Sequence, residues 1–115
     1  MNLDSVPLRN TNRQLFIYTE QFSDSEHFTV IDNGKPVSSM NLERVTDRHF
    51  IISKFSTLPD WQNQGIGTQF LEIVLNRFSD KTVQLFVDAE NTKAISFYKW
   101  FGFTTVGELF NFERT

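Results

Sequence analysis

At Pro59 the hydrophobic pattern of this chain changes period, and that change restricts the folds open to it more than any other feature. Upstream, short β-branched and aromatic runs alternate with polar residues, the period-two signature of strands: Leu15 to Tyr18, His27 to Ile31, Val37 to Arg44 and Phe50 to Phe55. Asp32, Asn33 and Gly34 follow the second run as a tight-turn signal, and Pro59, unable to donate to a ladder, closes the last. Downstream, Ile66, Phe70, Leu71, Val74, Leu75 and Phe78 recur at three or four residues, one stripe of a helix over Gly65 to Phe78. Val83 to Val87 is a nearly continuous apolar run, as in a strand covered on both faces. Asn91 caps a second helix whose Ala94, Ile95, Tyr98 and Phe101 share a face, and Gly102 ends it in the left-handed conformation. A final strand is expected from about Phe103 to Phe112. Strands in series, then strand, helix, strand, helix, strand, make a mixed α/β (α+β) sheet.

A chain of 115 residues has room for one core, and its thirteen Phe and two Trp supply the apolar area to fill it. Residues 1–13 lack an apolar period and are expected to form a flexible arm, with 14–115 a single domain. Cysteine is absent, which removes disulfides, thiolate zinc sites and a cysteinyl acyl-enzyme. No metal site is expected, since His27 and His49 match no ligand spacing. A net charge of −3 gives no attraction to phosphate backbones, so nucleic acid is disfavoured and a cationic acceptor fits better. The apolar runs are far too short to span a bilayer and no leader is visible, so a cytoplasmic protein without a membrane partner is expected.

Chemistry concentrates in Leu58-Pro59-Asp60-Trp61-Gln62-Asn63-Gln64-Gly65-Ile66-Gly67-Thr68, between a strand and a helix. A helix start has unpaired N–H groups and a positive dipole end, and glycines let a phosphate approach the backbone. Two glycines at this spacing arise by chance in about half of chains this long, so spacing alone decides nothing. A Walker loop is excluded because no Gly-Lys-Ser or Gly-Lys-Thr follows. A dinucleotide fingerprint fails as well, since Phe70 stands at its third glycine and too little chain follows Asp88 for a second half.

Gln62 through Gly67 resembles the first signature of the GNAT (GCN5-related N-acetyltransferase) family, which reads Gln or Arg, x, x, Gly, x, Gly or Ala. Asn91, Ala94, Phe97, Tyr98, Gly102 and Phe103 are similar to its second signature, in the expected order. The resemblance implies a mostly antiparallel sheet splayed between a parallel strand pair, with acetyl-CoA as co-substrate and its pantetheine arm in the splay. It further implies that backbone groups of Phe55 and Thr57 pair with pantetheine and that N–H groups of Gln64, Gly65, Gly67 and Thr68 hold the pyrophosphate. Gln62, Asn63 and Ile66 belong to the same loop, Asn91 and Tyr98 would face the thioester end, and Phe97 is counted with the cofactor-binding residues although packing is its plainer role. The acceptor would be an amine of a small molecule or peptide.

Two departures stand out. Only about two dozen residues precede His27, where the family usually places two helices, so the acceptor site is abbreviated or completed by a second subunit in a homodimer. Arg48 to Leu58 contains no carboxylate, whereas many members carry a glutamate there as the base. Glu43 on the neighbouring strand, His49, or a water ordered by Ser53 are the candidates, and no spacing rule chooses among them. Tyr98 is the expected general acid, with a satisfied core tyrosine as the plainer alternative. The N–H of Thr57 or Leu58 is placed to polarise the carbonyl. A non-catalytic coenzyme A binder on the same fold is the second reading.

Overall fold

Five consecutive antiparallel strands, four of them on the alternating runs, fill the first half of the chain in a computed structural model that describes residues 2–9, 11–105 and 111–114. They are β1 (Asn2–Pro7), β2 (Gln14–Gln21), β3 (Ser25–Asp32), β4 (Lys35–Thr46) and β5 (His49–Thr57). Asn33 and Gly34, with φ of 51° and 79°, link β3 to β4; positive φ at both turn residues matches the right-handed twist of a hairpin. One face of these strands carries Leu15, Ile17, Phe28, Val30, Met40, Leu42, Phe50 and Ile52, all buried.

After a single 3-10 turn at Pro59–Trp61, helix α1 (Ile66–Arg77) lays Ile66, Phe70, Leu71, Val74 and Leu75 into the same core. Each such side chain stabilises the fold by about 1.5–3 kcal/mol on burial. The helix is the crossover that brings β6 (Thr82–Phe86) parallel to β5, and helix α2 (Thr92–Trp100) follows. β7 (Thr104–Thr105) and β8 (Asn111–Arg114) complete a sheet of order β1-β2-β3-β4-β5-β6-β8-β7, in which only β5 and β6 are parallel. No helix among the described residues is long and apolar enough to cross a membrane.

Two expectations are corrected. The supposed arm is an edge strand: Asn2 to Pro7 pair in register with Thr19 to Gln14. Its polar residues misled because they find partners rather than water. Leu8 is buried, the Arg9 N–H donates to Gln69 Oε1 at 3.1 Å, Gln69 Nε2 donates to the Pro7 carbonyl at 2.6 Å, and Arg77 pairs with Asp4. The single last strand is instead two short ones that pair with each other, because the open edge of β6 is filled by Asn111–Arg114 and not by the residues after Gly102. Residues 106–110 of that expected strand lie outside the described residues.

Leu8→Ala is expected to cost about 2–4 kcal/mol of stability, the usual loss for emptying a closed apolar site. Urea denaturation reads it, and a change within error would return residues 1–13 to the status of an arm.

Candidate functional site

Strands β5 and β6 are registered only from His49 opposite Thr82 to Ile52 opposite Leu85. Past that point β5 continues through Ser53–Thr57 while β6 ends at Phe86, and the two separate. A bulge assists the separation: Ser39 faces Ser56 but Asn41 faces Ser53, and Lys54 within the bulge has a φ of 54°. The end of β5 is held on its other side, where Ser38 Oγ donates to the Ser56 carbonyl at 2.8 Å and lies 2.9 Å from Thr57 Oγ1.

The gap opens into a cleft of about 520 Å³ between β5, the start of α1 and α2. Gly65, with a φ of 82°, is the cap residue of α1 and provides no side-chain cap. The first N–H groups of α1 are therefore left to an external acceptor, and Gly67 and Thr68 line the cleft. A β-carbon on Gly67 would stand 3.7 Å from Thr57 Oγ1 and 3.9 Å from Phe55, in the mouth of the cleft itself. The far wall is aromatic: Phe55 meets Phe70 edge-on at 5.9 Å and Phe97 at 6.4 Å, and Phe97 meets Tyr98 at 5.3 Å. One end thus suits an anion and the other a flexible apolar arm.

A second cleft of about 550 Å³ adjoins the first through Phe55, Asn91, Ala94 and Tyr98. Glu43 on β4 and Asp88 in the loop after β6 line it, together with Ile51, Leu85 and Phe86. Ser53 also lines it, and Ser53 Oγ is buried without a hydrogen-bond partner. Asn91 accepts from the Ala94 N–H at 3.1 Å, so it is a helix cap and a lining residue at once. The Tyr98 phenol stands where the two clefts meet, and desolvation by burial pushes its pKa up to about 12. A proton therefore stays on it at neutral pH.

Phe55, Thr57, Gln62, Asn63, Gly65, Gly67, Thr68, Asn91, Phe97 and Tyr98 all border the first cleft, and Glu43 reaches the second beside Tyr98. Three anticipated residues are elsewhere. Ile66 is buried in the core, and the Gln64 side chain is bound to Asp60 and Arg13. The Leu58 N–H donates to the Val37 carbonyl at 2.8 Å, so it is not available to polarise a substrate. The Thr57 carbonyl is likewise taken, by Gln62 Nε2 at 2.9 Å. His49, bonded to Gln84 at the far end of β5, borders neither cleft. The sequence reading missed Lys93, which lines the first cleft from the opening turn of α2. A cation there opposes the helix dipole, and that misfit was the available signal.

The family model described as the acetyltransferase (GNAT) family matches residues 3–103. The chain belongs to this family. Solved GNAT structures share its fold. The ribosomal-protein-S18-alanine N-acetyltransferase from Escherichia coli superposes with a TM-score of 0.71 at 24% identity, over 81% of this chain and 68% of that one. The PaiA N-acetyltransferase from Thermoplasma acidophilum, in complex with coenzyme A, gives 0.68 at 19%, over 80% and 61%. A GNAT family acetyltransferase from Elizabethkingia anophelis with acetyl-CoA bound gives 0.72 at 16%, over 81% and 78%. The chain thus spans between about three fifths and four fifths of the length of these relatives. No curated protein matches it by sequence.

The Tyr98 phenol also makes stability depend on pH. An unfolded tyrosine titrates near 10. A folded value of about 12 means that the native state holds the proton more tightly. That stabilisation is complete below pH 10 and disappears as the pH rises toward 12. Over this window the wild type should lose up to about 2–3 kcal/mol more than Tyr98→Phe, read by urea denaturation at several pH values. A pH-independent difference would mean that the phenol is solvated.

Proposed function

We propose that this chain binds acetyl-CoA along the first cleft and transfers the acetyl group directly to an amine of a small molecule or peptide held in the second. The observation that carries the reading is the meeting of the two clefts at Tyr98, one leading from an uncapped helix start and the other flanked by carboxylates. In this reading the free N–H groups at the start of α1, with Lys93, hold the pyrophosphate, and the aromatic wall receives the pantetheine arm. Ile66, Gln64 and Leu58 contribute backbone or loop shape rather than side-chain contact.

Acetyl transfer forms a C–N bond and breaks the C–S bond of the thioester. Glu43 takes the proton that the attacking amine must lose, directly or through a water. Tyr98 offers its proton to the departing sulfur. Full transfer from a phenol near pKa 12 to an alkyl thiolate near 8.5 is uphill by about 5 kcal/mol. The phenol therefore acts first as a hydrogen-bond donor to the developing charge, and the same desolvation raises the proton affinity of the sulfur. The second reading, a coenzyme A binder without turnover, draws on the absence of any carboxylate along His49–Thr57.

Coenzyme A should raise the melting temperature, since a ligand bound only by the native state stabilises it. Gly67→Val should abolish that shift while still folding, because its methyl groups fill the mouth of the cleft. With a panel of amines and acetyl-CoA, turnover should appear, and Tyr98→Phe should reduce kcat by about ten- to a thousandfold at nearly unchanged coenzyme A affinity. Binding without turnover of any amine would favour the second reading; no binding at millimolar ligand would remove both.

The link between β2 and β3 is three residues long and none of them lines the second cleft, which supports a homodimer in which the second chain walls that side. Sedimentation with and without coenzyme A should show a dimer at micromolar concentration, and a monomer in both conditions would end the idea.

A further inference from the structure

Asp32 is the one ionisable residue among the buried polar side chains described, with 8% of its surface exposed, and it lies outside both clefts. A buried carboxylate is costly unless paired and hydrogen-bonded. Asp32 Oδ2 accepts from Trp61 Nε1 at 2.9 Å and forms an ion pair with Arg13. Both partners reach the loop that precedes α1. Trp61 is in the 3-10 turn and has the Lys35 ammonium 4.7 Å from its ring centroid. Arg13 Nη1 donates to Gln64 Oε1 at 2.6 Å, and Gln64 Nε2 donates to the Asp60 carbonyl at 2.7 Å.

Gln64 is thus held at both ends of its amide, between two left-handed residues, Asn63 at a φ of 61° and Gly65 at 82°. Asparagine enters the left-handed region more readily than other non-glycine residues, so the turn at Asn63 suits its sequence and the anchored Gln64 sets its orientation. Between Gln62 and Gly65 the loop pairs with no strand. Its shape decides where the first N–H groups of α1 aim, and a hydrogen bond weakens steeply as its distance and angle depart from the optimum.

We propose that Asp32 is a positioning residue for the phosphate-binding loop, acting through Trp61 and through Arg13 and Gln64 on the backbone from Asn63 to Gly67. The inference rests on the coenzyme A reading above. It deepens that reading by assigning the geometry of the anion site to a carboxylate on β3 that never touches the ligand.

Calorimetric titration of wild type, Asp32→Asn and Trp61→Phe with coenzyme A and with pantetheine, which shares the arm but has no phosphate, tests it. Both variants should bind coenzyme A at least about tenfold more weakly and pantetheine within about twofold of wild type. Trp61→Phe keeps a ring in place and removes the indole N–H, so it carries the comparison if Asp32→Asn does not fold. Equal weakening toward both ligands would mean general loosening and overturn the proposal, as would unchanged or tighter coenzyme A binding in variants that fold. A wild type that does not bind coenzyme A would overturn the reading of the cleft instead, a result distinct from tight binding that survives both substitutions.

Discussion

The separation of β5 from β6 after Ile52 and Leu85 is the constraint on which the rest of the site depends. Backbone N–H and C=O groups within a sheet are normally paired, and ending a parallel pair while one strand continues leaves such groups without a strand partner. The surrounding residues support the gap from several sides. Ser38 braces the end of β5, the bulge at Lys54 bends it, and the crossover through α1 sets an uncapped helix start beside the gap. Departures from local optimality gathered at one point are what a functional site looks like in an otherwise consistent sequence.

Charge is arranged around the gap by position rather than by amount. A chain of net charge −3 has no broad field to attract an anion, so the proposed anion site would draw on oriented backbone dipoles and the Lys93 ammonium. The nearby Arg13 is neutralised by Asp32. On the other side of Tyr98 the lining carboxylates Glu43 and Asp88 favour a cation. In the proposed reading, Tyr98 stands between an end that suits an anion and an end that suits a cation.

Legibility of the sequence followed the range of the interactions involved. Asn91 as a cap, Gly102 in the left-handed region and the α1 stripe were readable because each is decided within four residues. The splay and the loop were anticipated through paired motifs, and the side chains that border the cleft are mostly those the motifs contain. What escaped depends on partners far along the chain. Asn2–Pro7 lacks a pattern of its own and becomes a strand through β2, with Gln69 tied to it from 62 residues away. Leu58 looked free until Val37 was placed beside it, and Asp32 looked like a turn residue until Trp61 and Arg13 converged on it.

Helix α2 forms one wall of both clefts, yet none of its residues is fully buried, and its attachment is a chain of half-covered rings from Phe55 through Phe97 to Tyr98 that ends on the buried Phe103. α1 by contrast places six buried residues against the strands. Free energies of local opening scale with such contacts, so the wall shared by the two clefts is expected to open locally more readily than α1. Its amides should exchange with solvent by a local route while those of β4 wait for global unfolding. A catalytic tyrosine mounted there would be carried by the element that most easily lets a finished product leave.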